Sequence, residues 1–164
     1  MKKRLIRMYE FLRRRTLYIR RKFITPTIPK NKNGKVLVNV GCGFDTSDEF
    51  INVDVLPLPH IHHVHDITDL SMFPTDSVDL LYASHVLEHM PVKKVVSTLK
   101  EWRRVLKKGG TIRISVPDFD NMVDYYIDSG RDVDAVRDNV LGQEPPSDNH
   151  YTLWNVQKLK ALLE

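Results

Sequence analysis

Residues 36–55 read VLVNVGCGFDTSDEFINVDV, and the fold turns on how this stretch is read. Val36–Val40 is a β-branched run that stops at Gly41-Cys42-Gly43, and Phe50–Val55 is a second run, stopped by Pro57. Short apolar runs bounded by turn residues read as strands buried on both faces, the habit of parallel sheets. In such sheets a glycine turn at the C-terminal end of a strand is where nucleotides bind.

Outward from this stretch, strand and helix signals alternate. His62–Ile67 is a shorter third strand, and Val78–Ala83 a fourth, after the turn Pro74-Thr75-Asp76. Between Pro91 and Leu106 a stripe of Val92, Val95, Val96, Leu99, Trp102, Val105 and Leu106 predicts a helix. Lys107-Lys108-Gly109-Gly110 would end it with last-turn cations and glycine. Thr111–Val116 is a fifth strand, Asp118 is placed to cap a helix running to about Ile127, and a polar stretch containing Pro145-Pro146 follows. The chain then ends in a helical pattern carrying Leu153, Trp154, Val156, Leu159, Leu162 and Leu163. The expected fold is α/β, with a doubly wound, mostly parallel sheet. Its strand ends bring Gly41–Gly43, Asp54, Asp66 and Ser84–His85 to one rim.

That rim defines its ligand by exclusion. Only 13 residues separate Gly41 from Asp54. A dinucleotide site needs a third glycine and a helix before the acid, about 20 residues in all. A phosphate loop needs Gly-Lys-Ser/Thr after the glycines, and Phe44-Asp45-Thr46 stands there instead. Asp45, Asp48 and Glu49 would repel a pyrophosphate but not a ligand with a positive centre and no phosphate. S-adenosylmethionine is such a ligand. Gly41 and Gly43 let the backbone approach its methionine part, and Asp54 can accept both ribose hydroxyls. Asp66 can accept the adenine amino group with Ile67 against the ring, while Ser84 and His85 would lie beside the reactive methyl.

Composition sets wider bounds. The 164 residues suffice for one domain with a sizeable core, and the single cysteine, Cys42, excludes an internal disulfide. No apolar run is long enough to span a membrane and no secretory signal is evident, so a cytoplasmic location is expected, peripheral at the inner membrane face if the arm docks there. The net charge of +4 conceals an asymmetry: residues 1–35 hold 13 Lys/Arg against Glu10, whereas residues 36–164 hold 12 Lys/Arg against 20 acids. Residues 1–34 read as a basic amphipathic helix, ending before Thr25-Pro26, and a linker. Its apolar stripe packs on the body in one reading. In another, residues 1–25 dock on an anionic membrane surface, with Phe11, Leu12 and Phe23 inserted. The acidic body makes nucleic acid an unexpected partner.

The series VLVNVGCG, INVD, HDITDL, FPTDSVDLLYASHVLEHM, LKEWRRVLKKGGTIRISVPD and HYTLWNVQKLKALLE resembles a class I S-adenosylmethionine-dependent methyltransferase. It is most similar to the small type 11-like group associated with cell-surface saccharide pathways, over residues 35–164. The resemblance implies a Rossmann-like methyltransferase sheet, here lacking the last two of seven strands. It also implies cofactor contacts at Gly41, Gly43, Asp54 and Asp66. Asn39 stands where many members have an acid: it can accept a hydrogen bond from the ammonium but brings no charge. The expected activity is O-methylation of a small or saccharide-like acceptor. The alternative is a truncated or degenerate module that binds S-adenosylmethionine without transfer.

The remaining residues are assigned from this frame. Cofactor contacts are expected from Asn39, Gly41, Cys42, Gly43, Asp54, Asp66, Ile67 and Ser84. His85 is the candidate catalytic base, because histidine titrates in the useful range, with shaping of the pocket as its other reading. Glu88 and His89 read as helix or turn structure, and His150 could approach the acceptor from the terminal segment. His60, His62, His63 and His65 read as loop and strand-edge histidines, and no metal is expected. Without further strands Thr111–Val116 would be an apolar sheet edge, a template for a homodimer.

Overall fold

The computed structural model describes residues 12, 15–21, 23–24, 26–30, 33–45, 47–143 and 148–164. Five strands form one parallel sheet in the order β3-β2-β1-β4-β5. They are β1 (Leu37–Val40), β2 (Ile51–Asp54), β3 (His63–Val64), β4 (Val78–Ser84) and β5 (Leu106–Ser115). The chain runs outward from β1 to β3 and then returns to place β4 against the other side of β1. The β1/β4 junction is therefore the switch point, where the loops leaving the two strands diverge and open a crevice. This is the expected Rossmann-like α/β architecture, with a shortened sheet.

Apolar burial holds the central strands. Val38, Val40, Val53, Val78, Leu81 and Ala83 are fully buried, as the uninterrupted β-branched runs require of a sheet covered on both faces. Helix α1 (Val92–Val105) lays Val95, Leu99, Trp102 and Val105 on the sheet, and Trp102 Nε1 donates to the Ile67 carbonyl at 2.9 Å. That bond satisfies a buried indole and fixes the loop after β3. Arg104 braces the same loop through the carbonyls of Leu70 and Phe73, while Glu101 accepts from the Leu70 amide at 2.9 Å and pairs with Arg104 at 2.7 Å.

Several boundaries differ from expectation. β3 is two residues long because Asp66 turns the chain at once: its side chain accepts from the Thr68 amide at 2.9 Å. The segment Lys107–Gly110 does not separate α1 from β5. Leu106 already pairs with Val78, and the ladder resumes at Leu80↔Thr111, so the intervening residues bulge, with Gly109 at φ +77°. Helix α2 (Phe119–Asp128) is capped as expected, Asp118 accepting from the Asp120 amide. The supposed polar stretch contains a further helix, α3 (Val133–Leu141), capped by Asp132 and with no fully buried residue. The C-terminal helix is α4 (Val156–Leu163).

Of the basic arm, residues 15–21 are helical, and Leu17 and Tyr18 pack on a small cluster of Cys42, Leu58 and Ile61. Phe23 remains 84% exposed. The rest of the expected amphipathic helix, including Leu5, Met8, Tyr9 and Phe11, lies outside the described residues. Among the described residues no helix is long and apolar enough to cross a membrane.

Candidate active site

A cleft of about 790 Å³ opens over the C-terminal ends of β1, β2 and β4. Its floor begins with the glycine turn. The Gly41 amide donates to the Val53 carbonyl at 2.8 Å, which holds the turn against β2. Gly41 has φ +65°, and a Cβ there would come within 2.6 Å of Val86 Cγ2. Gly43 has φ +54° with nothing within 4 Å of an added Cβ, so it faces open space in the cleft wall.

Asp54 ties this turn to the end of β2. It is 6% exposed; Oδ2 accepts from the Gly43 amide and Oδ1 from the Leu56 amide, both at 2.8 Å. Each carboxylate oxygen keeps a second acceptor site, so the residue that shapes the loop can still receive two hydroxyls. Across the cleft, the Thr68 amide holds the Asp66 carboxyl below its ordinary range against the opposing pull of desolvation, with a smaller contribution from nearby Lys94.

Glycine and acid positions from the sequence therefore converge. Gly41, Gly43, Asp54, Asp66, Ile67 and His85 all line the cleft. Asn39, Cys42 and Ser84 do not. Asn39 is 9% exposed inside β1, between Asn52 and Tyr82 of the flanking strands. Cys42 turns its side chain into the cluster with Leu58 and Ile61, where burial and the Asp54 charge push its thiol up to about 12. Neither residue carried a sequence signal for side-chain direction.

The sequence reading missed Tyr18 from the arm and Phe44 beside the glycine turn, and on the opposite wall Val86, His89, Met90, Lys94 and Asp148. Asp54, Asp66 and Asp148 face one lysine, Lys94, so the lining favours a cationic ligand over a pyrophosphate.

The histidine side of the cleft is built on a short 3-10 turn, Leu87–His89, after β4. His85 enters it at φ +53°, a strained setting for a residue with a Cβ, and its amide is held by the Ser115 carbonyl. Its Nδ1 lies 3.0 Å from Glu88 Oε1 but off the line of a hydrogen bond, and its side chain is 63% exposed. Glu88 itself is 1% exposed, and neither carboxylate oxygen has a hydrogen-bond partner. The segment after α3 is pinned across this turn. Tyr151 N donates to the Glu88 carbonyl at 2.7 Å, and Thr152 Oγ1 to the Leu87 carbonyl at 3.0 Å. His150 thereby meets His89 edge to face, ring centres 4.8 Å apart.

The other histidines serve local structure. His60 bonds the Gly43 carbonyl at 3.0 Å. His62 Nδ1 accepts from the Asn52 amide, so Nε2 carries the proton toward the Thr27 carbonyl, and burial lowers its pKa. His65 contacts the Asp66 carbonyl.

Residues 35–114 match a family described as a methyltransferase domain. The whole fold is similar to a SAM-dependent methyltransferase from Archaeoglobus fulgidus, with a TM-score of 0.54 at 19% identity. The alignment covers 92% of this chain and 66% of that one, so the chain spans just under two thirds of its structural relative. No curated protein matches the chain.

Proposed function

We propose that the chain transfers a methyl group from S-adenosylmethionine to a hydroxyl oxygen of a small acceptor, with saccharides the first class to test. The observation that carries this reading is the acidic, glycine-floored cleft at the β1/β4 switch point. The matched methyltransferase family supports the reaction class. The cofactor supplies an electrophilic methyl on a sulfonium, ready for in-line displacement by the acceptor oxygen. Gly43, whose missing Cβ leaves the cleft wall open, admits the methionine portion. Asp54 receives the ribose through the acceptor sites its amide partners leave free, and Asp66 and Ile67 hold the adenine.

His85 takes the acceptor proton. Its side chain is 63% exposed where it lines the cleft, so an acceptor hydroxyl can reach it. Most of the rate comes from holding acceptor and methyl in line, with proton removal adding about 10²–10⁴-fold. Calorimetry should show S-adenosylmethionine binding that Asp54→Ala weakens severely, and a radiolabelled methyl should pass to a hydroxylic acceptor. A folded chain that binds neither the cofactor nor its demethylated product refutes the reading. Binding without transfer to any saccharide, lipid or RNA fraction reassigns the chain as a binding module. The basic arm and the β5 edge carry two partner proposals, an anionic membrane and a second copy of the chain. Vesicle sedimentation with and without residues 1–25, and light scattering across a concentration series, test them.

A further inference from the structure

The geometry points to a divalent transition-metal site formed by Glu88, His89 and His150 at the histidine end of the cleft. One ligand atom from each residue lies within 4.8 Å of the other two. Proximity alone would carry little, but three features of the cluster fit a cation. First, Glu88 is 1% exposed and neither carboxylate oxygen has a hydrogen bond, the nearby His85 Nδ1 at 3.0 Å lying off the line of one, and a buried carboxylate left without partners is costly. A cation is the partner that removes this penalty.

Second, both imidazoles are oriented as ligands. His89 Nδ1 faces the Asn149 carbonyl at 3.2 Å, and His150 Nδ1 faces the Asn139 carbonyl at 2.8 Å. Carbonyls only accept, so each neutral ring carries its proton on Nδ1 and leaves the Nε2 lone pair free. This backbone anchoring of the far nitrogen is how metal-bound histidines are held. Third, Asp148 Oδ1 lies 3.5 Å from His89 Nε2, within reach of a fourth position. Gly142, at φ +89°, lets the end of α3 close on Asp148, where a Cβ would run into the Asp148 carbonyl.

Two nitrogens and a carboxylate suit zinc and its neighbours, whereas magnesium prefers an all-oxygen set. Metal–nitrogen bonds of about 2.1 Å place tetrahedral ligands about 3.4 Å apart. The widest gap in the cluster, 4.8 Å, would contract by about 1.4 Å on binding. Because His89 lines the cleft, the ion would stand where the acceptor enters and could draw its hydroxyl toward ionisation. That role rests on the methyl-transfer reading; ion binding does not.

The test is titration of the chelator-treated full chain with Co²⁺ and Zn²⁺, followed by calorimetry and, for Co²⁺, visible absorption. One equivalent should bind, at least tenfold more weakly in His150→Ala and Glu88→Gln. His63→Ala should bind as the parent, and excess Mg²⁺ should not compete. His150→Ala removes a partly exposed loop side chain, so it decides the matter if Glu88→Gln fails to fold. No stoichiometric uptake, or uptake unchanged by His150→Ala, overturns the site. S-adenosylmethionine calorimetry on the same samples separates the two ideas. Cofactor binding without metal uptake removes only the ion site, and metal uptake without cofactor binding removes only the proposed function.

Discussion

Replacing Gly41 and Gly43 by alanine, one at a time, should separate two reasons for glycine in the same turn. Both have positive φ, +65° and +54°, so each alanine costs about 1–2 kcal/mol in backbone strain. Only at position 41 does the new methyl collide, at 2.6 Å from Val86 Cγ2. Overpacking of this kind adds about 1–3 kcal/mol, because Val86 is 5% exposed and cannot swing into solvent. The expected losses are therefore about 2–5 kcal/mol for Gly41→Ala and about 1–2 kcal/mol for Gly43→Ala. Urea unfolding measures both. Adding Val86→Ala to Gly41→Ala should recover most of the overpacking, a coupling of about 1–3 kcal/mol in the double-mutant cycle. Cofactor affinity should run the other way, with Gly43→Ala, whose methyl occupies open cleft space, losing binding while remaining folded. Equal destabilisation at the two positions, or zero coupling to Val86, would refute the steric argument.

Three further outcomes follow from groups whose ionisation or packing the fold controls. The Cys42 thiol, pushed to about 12 from an ordinary 9.0, should resist thiol reagents at neutral pH until the chain is unfolded in urea. Its raised value means that the stability it contributes is complete below pH 9 and is lost as pH rises toward 12; Cys42→Ser should flatten that alkaline limb. Glu101 is held below the usual carboxylate range, first by its bond to Arg104, so its contribution is present above its ordinary value and is lost on acidification through the depressed one. Glu101→Gln should cost about 1–3 kcal/mol in urea unfolding at pH 7, a cost that shrinks as the pH is lowered below the ordinary carboxylate value. Deleting residues 1–24 strips Leu17 and Tyr18 from the Cys42 cluster, so the thiol should become reactive in the folded chain and cofactor affinity should fall several-fold. A protected thiol and unchanged affinity would show that the arm merely rests nearby.

What the sequence revealed follows from the range over which each feature is determined. The strands were legible because a sheet covered on both faces demands unbroken apolar runs, and Val36–Val40 and Phe50–Val55 contain β1 and β2 within a residue or two. The spacing from Gly41 to Asp54 was legible because both residues belong to one strand–turn–strand unit, closed by the Gly43–Asp54 bond. Side-chain direction inside the turn was not, since a turn has no period. Cys42, adjacent to two cleft glycines, points away from the cleft.

The opposite wall was hidden for a different reason. Glu88 and His89 read as turn residues because nothing within a few positions explains a buried acid there. Their context comes from Asn149, His150 and Tyr151, carried across by a backbone hydrogen bond between Tyr151 and Glu88. That bond exists only once α3 and the loop after it have folded back over the 3-10 turn. A local sequence pattern can nominate a glycine or a cap, because the force that selects it acts through neighbouring residues. It cannot nominate a carboxylate whose burial is created by a segment some 60 residues downstream. The same dependence makes the two sides of the cleft separable by experiment. Loosening the segment from Asp148 to Thr152 should expose Glu88 and abolish metal uptake, while the Gly43–Asp54 bond, made entirely within residues 43–54, keeps the glycine floor of the cleft in place.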